Sequence, residues 1–185
     1  TGWGAAGPNG LVAFEVGAPE AAAAGRRVGA APAPAGGAHS VAVVGRTAFA
    51  LSGGAGLVAF DVGDPRAPRP LPIAPALAAI VGGDRPVQLA AADGRLYVPD
   101  ATGAVHVLAT AGLGGPHGLG RVDVAGADGG RLAALAVADD TLYALEADGR
   151  ASRVHVLPLD RSGQPAPGPA VALARRYQRL LVAGD

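Results

Sequence analysis

An eight-residue segment occurs twice in this chain, and its recurrence limits the possible folds more than any other feature does. Residues 10–17 read GLVAFEVG and residues 56–63 read GLVAFDVG, at an offset of 46. Weaker copies follow at residues 104–108 and 153–157. The central valines lie 46, 47 and 49 residues apart: Val12, Val58, Val105 and Val154. A period of this length indicates an array of small structural units.

A second set of positions recurs independently of the first. About ten residues before each of these segments lies a strand-like run that carries one aromatic residue. The four aromatics are spaced by 46, 48 and 46 residues: Trp3, Phe49, Tyr97 and Tyr143. The chain has seven aromatic residues in all, so four of them in one register favours a shared role. We expect each to be buried on the second strand of its unit.

Within the units, short apolar runs alternate with turn residues. One unit predicts strands at residues 39–44, 47–52, 57–62 and 71–73, and the next predicts strands at 87–92, 95–98, 104–108 and 121–124. Asp93-Gly94 between two apolar runs is a strong signal for a tight hairpin, and Asp139-Asp140 stands in the same place in the following unit. No long run shows the 3.6-residue apolar period of a helix.

Four short strands in about 47 residues are typical of a propeller blade. We therefore predict an all-β chain, a β-propeller domain with four blades of four antiparallel strands; a β-sandwich is the alternative fold. The predicted units are approximately 1–36, 37–84, 85–130 and 131–176, with 177–185 as a strand that completes the first blade. Three arrangements stay open, namely a closed four-blade ring, a segment of a larger ring, or two copies that form one eight-blade ring.

Residues 56–68, GLVAFDVGDPRAP, resemble the LVIVD-type propeller repeat of bacterial and archaeal surface proteins. The first unit keeps Glu15, Val16 and Pro19 but has Ala18 where the repeat has aspartate. The third and fourth units depart from the motif and are similar to generic propeller blades. The resemblance covers about half of the chain. It implies a propeller in an extracellular or periplasmic location and implies little about activity.

Composition excludes several classes of function. Fifteen basic residues balance fifteen acidic ones, so the chain lacks the basic surface that nucleic acid or an anionic membrane would require. No apolar run approaches the ~20 residues of a membrane-spanning helix. Cysteine is absent, which excludes disulfides, thiolate ligands and a cysteine nucleophile. Every basic residue is arginine and none is lysine, as in GC-rich bacterial genes.

The polar residues predict no catalytic, cofactor-binding or metal site. His106 and His155 occupy equivalent positions in neighbouring units, where Ala13 and Ala59 stand in the other two, and such positions diverge radially. His117 lies in a glycine-rich loop without a nearby acidic residue, and Asp139-Asp140 falls at a turn. We therefore expect no cofactor.

One candidate interaction site follows from the positions of polar residues in the predicted blades. The loops that lead into the first strands of a propeller form one face, and a set of polar residues falls there in the predicted register: His39, Arg85, Gln88, Arg131 and Arg179. Such a polar, arginine-bearing mouth would suit a carboxylate or an acidic side chain of a partner. The sequence favours a non-catalytic interaction module that binds a protein partner, with a homodimer that completes a larger ring as a further possibility. The alternative is a fragment of a propeller enzyme, such as a quinoprotein-like oxidoreductase or a lactone hydrolase.

Overall fold

A computed structural model describes residues 1–15, 26–32, 34–80, 87–111, 115–125, 130–147 and 151–182. These residues form four antiparallel sheets in chain order, three with four strands and one with three. The helical residues of the described part form one turn, α1 (Pro75–Ala78). The predicted class is confirmed: the chain is all-β, with the sheets arranged as the blades of a propeller.

The strands of each blade follow one another from the inner to the outer edge of the sheet. Blade 1 contains β1 (Gly2–Ala5), β2 (Leu11–Glu15) and β3 (Arg26–Ala31). Blade 2 contains β4 (Ala38–Val44), β5 (Thr47–Ser52), β6 (Gly56–Asp61) and β7 (Arg69–Leu71). Blade 3 contains β8 (Ala90–Ala92), β9 (Arg95–Pro99), β10 (Ala104–Ala109) and β11 (His117–Asp123). Blade 4 contains β12 (Arg131–Ala138), β13 (Thr141–Ala147), β14 (Ser152–Pro158) and β15 (Ala170–Leu173).

The tight turns between first and second strands form as the sequence predicts. Asp93 and Gly94 have φ values of 50° and 72°, and Asp139 and Asp140 have φ values of 47° and 55°. Two consecutive residues with positive φ fit the right-handed twist of the flanking strands, which is why Asp and Gly are favoured there. The turn prediction is confirmed at both places.

Two outer strands differ from the prediction. The last strand of blade 2 is Arg69–Leu71 and not residues 71–73. In blade 3 the outer strand begins at His117, so part of the predicted glycine-rich loop is strand. Its pairing with β10 shifts register between Val107 and Leu108, opposite Gly120 and Gly118. Glycine lowers strand propensity, but the ladder to β10 overrides that preference.

Apolar side chains fill the seams, by which we mean the contacts between consecutive blades. The described residues contain three buried clusters, and each joins two blades that are neighbours in the chain. Phe49 of blade 2 packs in one cluster with Leu108 of blade 3, and Tyr97 of blade 3 packs in another with Leu157 of blade 4. In the third, Phe60 of blade 2 packs with Trp3 of blade 1. At each of the three described seams, a second-strand aromatic and a third-strand residue of the next or previous blade therefore belong to one cluster.

The prediction that all four aromatics are buried is correct for two of them. Phe49 and Tyr97 are 0% and 1% exposed, whereas Trp3 and Tyr143 are partly buried. The difference follows from their positions, because Phe49 and Tyr97 belong to blades with neighbours on both sides. Trp3 lies on β1, which has β2 as its sheet partner in the described residues, and Tyr143 lies on the last blade.

Strand pairing also corrects the predicted register of the histidines. Ala50 pairs with Val58, while Val98 pairs with His106 and Ala144 with His155. His106 and His155 are therefore equivalent to Val58 and Val12, and not to Ala59 and Ala13. The alignment on valines was wrong by one residue in blades 3 and 4, and one residue moves a side chain to the other face of the sheet.

The segment after β15 does not form a strand as far as residue 182, and residues 183–185 lie outside the described part. It runs back over blades 4 and 3 instead. The Tyr177 amide donates to Ser152 Oγ at 2.9 Å, and Gln88 Nε2 donates to the Leu180 carbonyl at 3.4 Å. The predicted pairing of residues 177–185 with the first blade is not among the pairings of the described residues.

Candidate functional site

One face of the blades carries the site, and strand direction defines it. Ala38 at the start of β4 pairs with Ser52 at the end of β5, and Ser52 pairs with Gly56 at the start of β6. First strands therefore begin, second strands end and third strands begin at the same edge. We call this edge the loop face. It includes the turns at residues 53–55 and 100–103.

In blade 3 the loop face carries a carboxylate that is fully engaged. Asp100 Oδ1 accepts hydrogen bonds from the Thr102 amide (2.8 Å), the Thr102 hydroxyl (2.7 Å) and the Ala104 amide (3.1 Å). Asp100 Oδ2 lies 2.9 Å from His106 Nε2 and 3.5 Å from Arg121 Nε. Arg121 also donates to the Thr102 hydroxyl at 2.9 Å. This tight turn with an aspartate at its start is a common local motif, here extended by a histidine and an arginine.

These contacts change the acidity of Asp100. Burial alone would raise the pKa of this carboxyl, but hydrogen bonds from Thr102, His106 and Ala104 stabilise the charged form and lower the pKa to about 2. Asp100 is therefore ionised at neutral pH and accepts a hydrogen bond from His106 Nε2. The same hydrogen bond leaves Nδ1 of a neutral His106 as an acceptor, and no described residue contacts Nδ1 by a hydrogen bond.

Blade 4 carries a second pair of the same kind. Glu146 Oε2 lies 2.7 Å from His155 Nε2 and 3.2 Å from Arg153 Nη1. The Glu146 side chain is 5% exposed, and that of His155 is 13% exposed. Gly130 adjoins the carboxylate so closely that an added Cβ there would collide with Glu146 Oε1.

The two pairs are equivalent in the propeller. Asp100 and Glu146 each lie three residues after the second-strand tyrosine of their blade, and their histidines occupy the same register position on the third strand. Blade 2 has Ser52 and Val58 at these two positions, and blade 1 has Ala6 and Val12. The acid–histidine pair therefore belongs to the seams between blades 2 and 3 and between blades 3 and 4.

In blade 2 the position equivalent to Asp100 and Glu146 is occupied by an uncharged residue, Ser52. It is 1% exposed, its hydroxyl donates to the Ala35 carbonyl, and it accepts from the amides of Gly54 and Ala55, both at 3.3 Å. It holds a turn closed and offers no free polar atom. The acid–histidine pairs of blades 3 and 4 add ionisable groups to the same structural place.

A cleft of about 290 Å³ opens beside the pair in blade 3. One wall comes from α1 and the residues after it, which belong to the connection from blade 2. The other wall is the turn of blade 3. The lining residues are Ala76, Ala79, Ile80, Asp100, Ala101, Thr102 and His106. An apolar wall that faces a few polar groups is the usual composition of a binding cleft.

The connection is held in place by a close backbone approach. Gly56 at the start of β6 has a φ of +69°, and a Cβ at this position would collide with the Ala78 carbonyl at the end of α1. Glycine is therefore required for two reasons at once. Leu77 of α1 is buried in the seam between blades 2 and 3, which fixes the apolar wall of the cleft.

Three of the predicted mouth residues, His39, Gln88 and Arg131, lie at or just before the starts of first strands, on the loop face. His39 is exposed beside Gly53, at the bulge between Ala38 and Ser40. Gln88 is partly buried and contacts the segment that carries Arg179, through the Leu180 carbonyl. Arg131 is exposed at the start of β12, Arg179 is exposed, and Arg85 lies outside the described residues.

Sequence reasoning missed the carboxylates. The sequence shows that His106 and His155 recur. It does not show their pairing with Asp100 and Glu146, which lie six and nine residues away in the chain. The available signal was the aromatic register: in blades 3 and 4 an acidic residue stands three positions after the tyrosine. Within the described ranges, no group of three His, Cys, Asp or Glu residues is placed to hold a metal ion. None of the helical residues described here belongs to a helix long and apolar enough to span a membrane.

Comparison with known proteins supports the fold. No protein-family model and no curated protein matches the chain. Among solved structures, a protein from Lactobacillus plantarum matches with a TM-score of 0.68 and 15% identity, over 92% of this chain and 51% of the other. The computationally designed Ika8 protein matches with a TM-score of 0.60 and 13% identity, over 98% of this chain and 49% of the other. At these identities the likeness shows the fold alone, and the chain spans about half the length of both structures.

Proposed function

We propose that this chain is a non-catalytic interaction module that binds a protein partner through the loop face. The observation that carries the proposal is the fixed placement of the two acid–histidine pairs at adjacent seams of this face. Rigidly held loops on a β scaffold are common sites of recognition, because ordering them costs little on binding. As the LVIVD-type resemblance implies, we further propose an extracellular or periplasmic location.

Polar chemistry gives this face its specificity. His106 and His155 are each oriented by a carboxylate, and each pair includes an arginine whose side chain is 43% exposed, Arg121 or Arg153. Arg131 is exposed at the start of β12, and Arg179 is exposed next to Leu180, whose carbonyl accepts a hydrogen bond from Gln88. Arginine is enriched at interface hot spots and binds carboxylates in a defined geometry. A partner with acidic side chains matches this surface.

The test is a comparison of two triple variants with equal charge. Arg85→Ala, Arg131→Ala and Arg179→Ala remove three arginines expected at the loop face. Arg46→Ala, Arg66→Ala and Arg161→Ala remove three from the turns at the opposite edge. Quantitative mass spectrometry after affinity capture should show partners that the first variant loses and the control retains. Equal capture by both variants would contradict the proposed face.

A second candidate function has one observation in its favour. A histidine oriented by a carboxylate beside a cleft is the arrangement of a general base, as in a fragment of a propeller enzyme. However, the hydroxyl nearest to the pair, that of Thr102, donates to Asp100 itself and is not activated by His106. Turnover of an ester or lactone that is abolished by His106→Gln, in a variant that stays folded, would favour the enzyme over the interaction module.

A further inference from the structure

We infer that the cleft between α1 and the turn of blade 3 binds a neutral small molecule with one apolar ring and one hydroxyl group, such as a phenol. This inference is independent of the proposed protein partner. It rests on the size and composition of the cleft, on the charges beside it and on one ring nitrogen of His106. The cleft lies at the seam between blades 2 and 3, in the interior of the described array.

The first observation is the size and composition of the cleft. Its volume of about 290 Å³ is at the lower end of the ~300–1,000 Å³ that small-molecule sites have. A single ring therefore fits it better than a drug-sized ligand does. The wall on the α1 side is formed by Ala76, Ala79 and Ile80, whose side chains are all apolar. A flat apolar group can pack on this wall and so leave water.

Both walls of the cleft are held in place before a ligand arrives. Ile80 and Leu77 are 6% and 7% exposed and belong to the buried cluster between blades 2 and 3. On the other wall, the Asp100 carboxylate fixes the turn by accepting hydrogen bonds from the amides of Thr102 and Ala104. A preformed site loses little conformational entropy when it binds a ligand.

The charges beside the cleft favour a neutral ligand. Asp100 Oδ1 accepts three hydrogen bonds, and Asp100 Oδ2 faces His106 Nε2 and Arg121 Nε. A cationic ligand would find both carboxylate oxygens occupied and would be repelled by the Arg121 guanidinium. An anionic ligand would be repelled by the ionised Asp100 carboxylate.

His106 determines which polar group the ligand carries. Its side chain lines the cleft and is 23% exposed. Nε2 is bonded to Asp100, and no hydrogen bond from a described residue reaches Nδ1, so the neutral imidazole offers Nδ1 as an acceptor. The Thr102 hydroxyl also lines the cleft, but it already donates to Asp100 and accepts from Arg121. A hydroxyl group is a neutral donor that matches His106 Nδ1, and a phenol combines it with an apolar ring.

The acid–histidine pair of blade 4 provides an internal comparison. Glu146 orients His155 as Asp100 orients His106. The lining of the cleft, however, includes His106 and not His155. A ligand that binds in the cleft should therefore affect the signals of His106 alone, whereas a ligand that recognises any acid–histidine pair should affect both histidines.

Titration of the 185-residue chain with phenol at pH 8, followed by imidazole nitrogen NMR, tests the inference. The Nδ1 signal of His106 should shift and reach saturation, while the signals of His155 stay unchanged. Absence of a saturable shift at His106, or an equal shift at His155, would overturn the inference.

A second ligand isolates the hydrogen bond to His106. Anisole has the same ring as phenol but no hydroxyl hydrogen. The ratio of the anisole Kd to the phenol Kd should fall ~3–10-fold in the variant His106→Leu, which corresponds to the loss of one neutral hydrogen bond. A ratio that stays the same in this variant would show that His106 does not accept the hydroxyl proton in a hydrogen bond, and the inference would be wrong.

Two phenylalanine variants locate the ligand. Ala79→Phe fills the cleft from an exposed position and should raise the phenol Kd by about tenfold or more, because the new ring takes the place of the ligand. Ala67→Phe adds the same side chain at an exposed position outside the lining of the cleft and should leave the Kd unchanged. Equal Kd values for the two variants would also overturn the inference. Since both alanines are exposed, this comparison stands even if His106→Leu does not fold.

Discussion

Tyr97 and Tyr143 are the same residue at the same position of adjacent blades, and they lie in different surroundings. Tyr97 is 1% exposed, packs against blade 4 and donates a hydrogen bond to the Gly163 carbonyl at 3.0 Å. Burial raises the pKa of its hydroxyl. Tyr143 is partly exposed on blade 4, the last blade among the described residues. In a propeller, the environment of a residue is set by the next blade as much as by its own sheet.

The same comparison applies to the polar site. The acid–histidine pairs occur at the two seams that involve blade 3, while the seam between blades 1 and 2 has Ser52 and Val58 at these positions. A buried or half-buried charge needs partners, and each seam supplies them through a neighbouring turn or strand. Substitutions in blade 3 and its seams should therefore change stability more than substitutions at the ends of the array.

The largest difference is expected between the two tyrosines. Tyr97→Ala should lower the free energy of unfolding by ~3–5 kcal/mol, the usual cost of truncating a buried aromatic. Tyr143→Ala should cost at most ~2 kcal/mol in the single chain, since part of its surface is already exposed. Urea unfolding at neutral pH measures both. Equal losses would show that Tyr143 is as well covered as Tyr97.

A smaller effect is expected for the buried acid of blade 4. Glu146→Ala should cost ~2–4 kcal/mol, because it leaves His155 and Arg153 without their buried carboxylate. The control is Glu15→Ala, which breaks the exposed pair of Glu15 and Arg26 on adjacent strands of blade 1. Exposed ion pairs contribute ~0–1 kcal/mol. Comparable losses in thermal or urea unfolding would contradict the distinction between the two pairs.

Asp100 should make stability depend on pH at the acid end. Because the pKa of Asp100 is lowered in the folded chain, its contribution is fully present above about pH 4, where the carboxyl of the unfolded chain is ionised. The contribution is lost as the pH falls towards about 2. Asp100→Asn should therefore cost ~1–3 kcal/mol at pH 7 and about half as much near pH 3, with most of the difference gone by about pH 2.

Asp123→Asn is the matched control for that change. Asp123 forms an ion pair with the same arginine, Arg121, but its side chain is 78% exposed. It should change stability by less than ~1 kcal/mol at either pH. A loss for Asp100→Asn that stays constant from pH 7 to pH 3 would show that the carboxyl is not the titrating group.

The smallest effect concerns the turns of blades 3 and 4. Asp140 has a φ of 55°, where blade 3 has Gly94 with a φ of 72°. Asp140→Gly should raise stability by ~0.5–1 kcal/mol, since glycine adopts positive φ without a steric penalty. Gly94→Asp should have the opposite sign. Differential scanning calorimetry of the two variants gives the comparison, and a loss of stability for Asp140→Gly would contradict it.

The fold was predictable from the sequence because its signals are local and recur. The aromatic register and the Asp93-Gly94 and Asp139-Asp140 turns report single strands and hairpins, which short-range patterns specify. The site was not predictable to the same degree. His106 and Asp100 meet only after β9 and β10 pair, and a one-residue error in register turned the histidine to the wrong face. The helical turn α1, with four residues and Pro75 at its start, carries too short a pattern to detect.

Imidazole nitrogen NMR at neutral pH can show whether blades 3 and 4 hold two equivalent acid–histidine pairs. His106 and His155 should each show a slowly exchanging proton on Nε2, the nitrogen that faces Asp100 or Glu146. His39 and His117, which are exposed, should exchange rapidly. Asp100→Asn should alter the His106 signal and leave the His155 signal unchanged. Four histidines with the same rapid exchange, or a proton on Nδ1 of His106 and His155, would contradict the account.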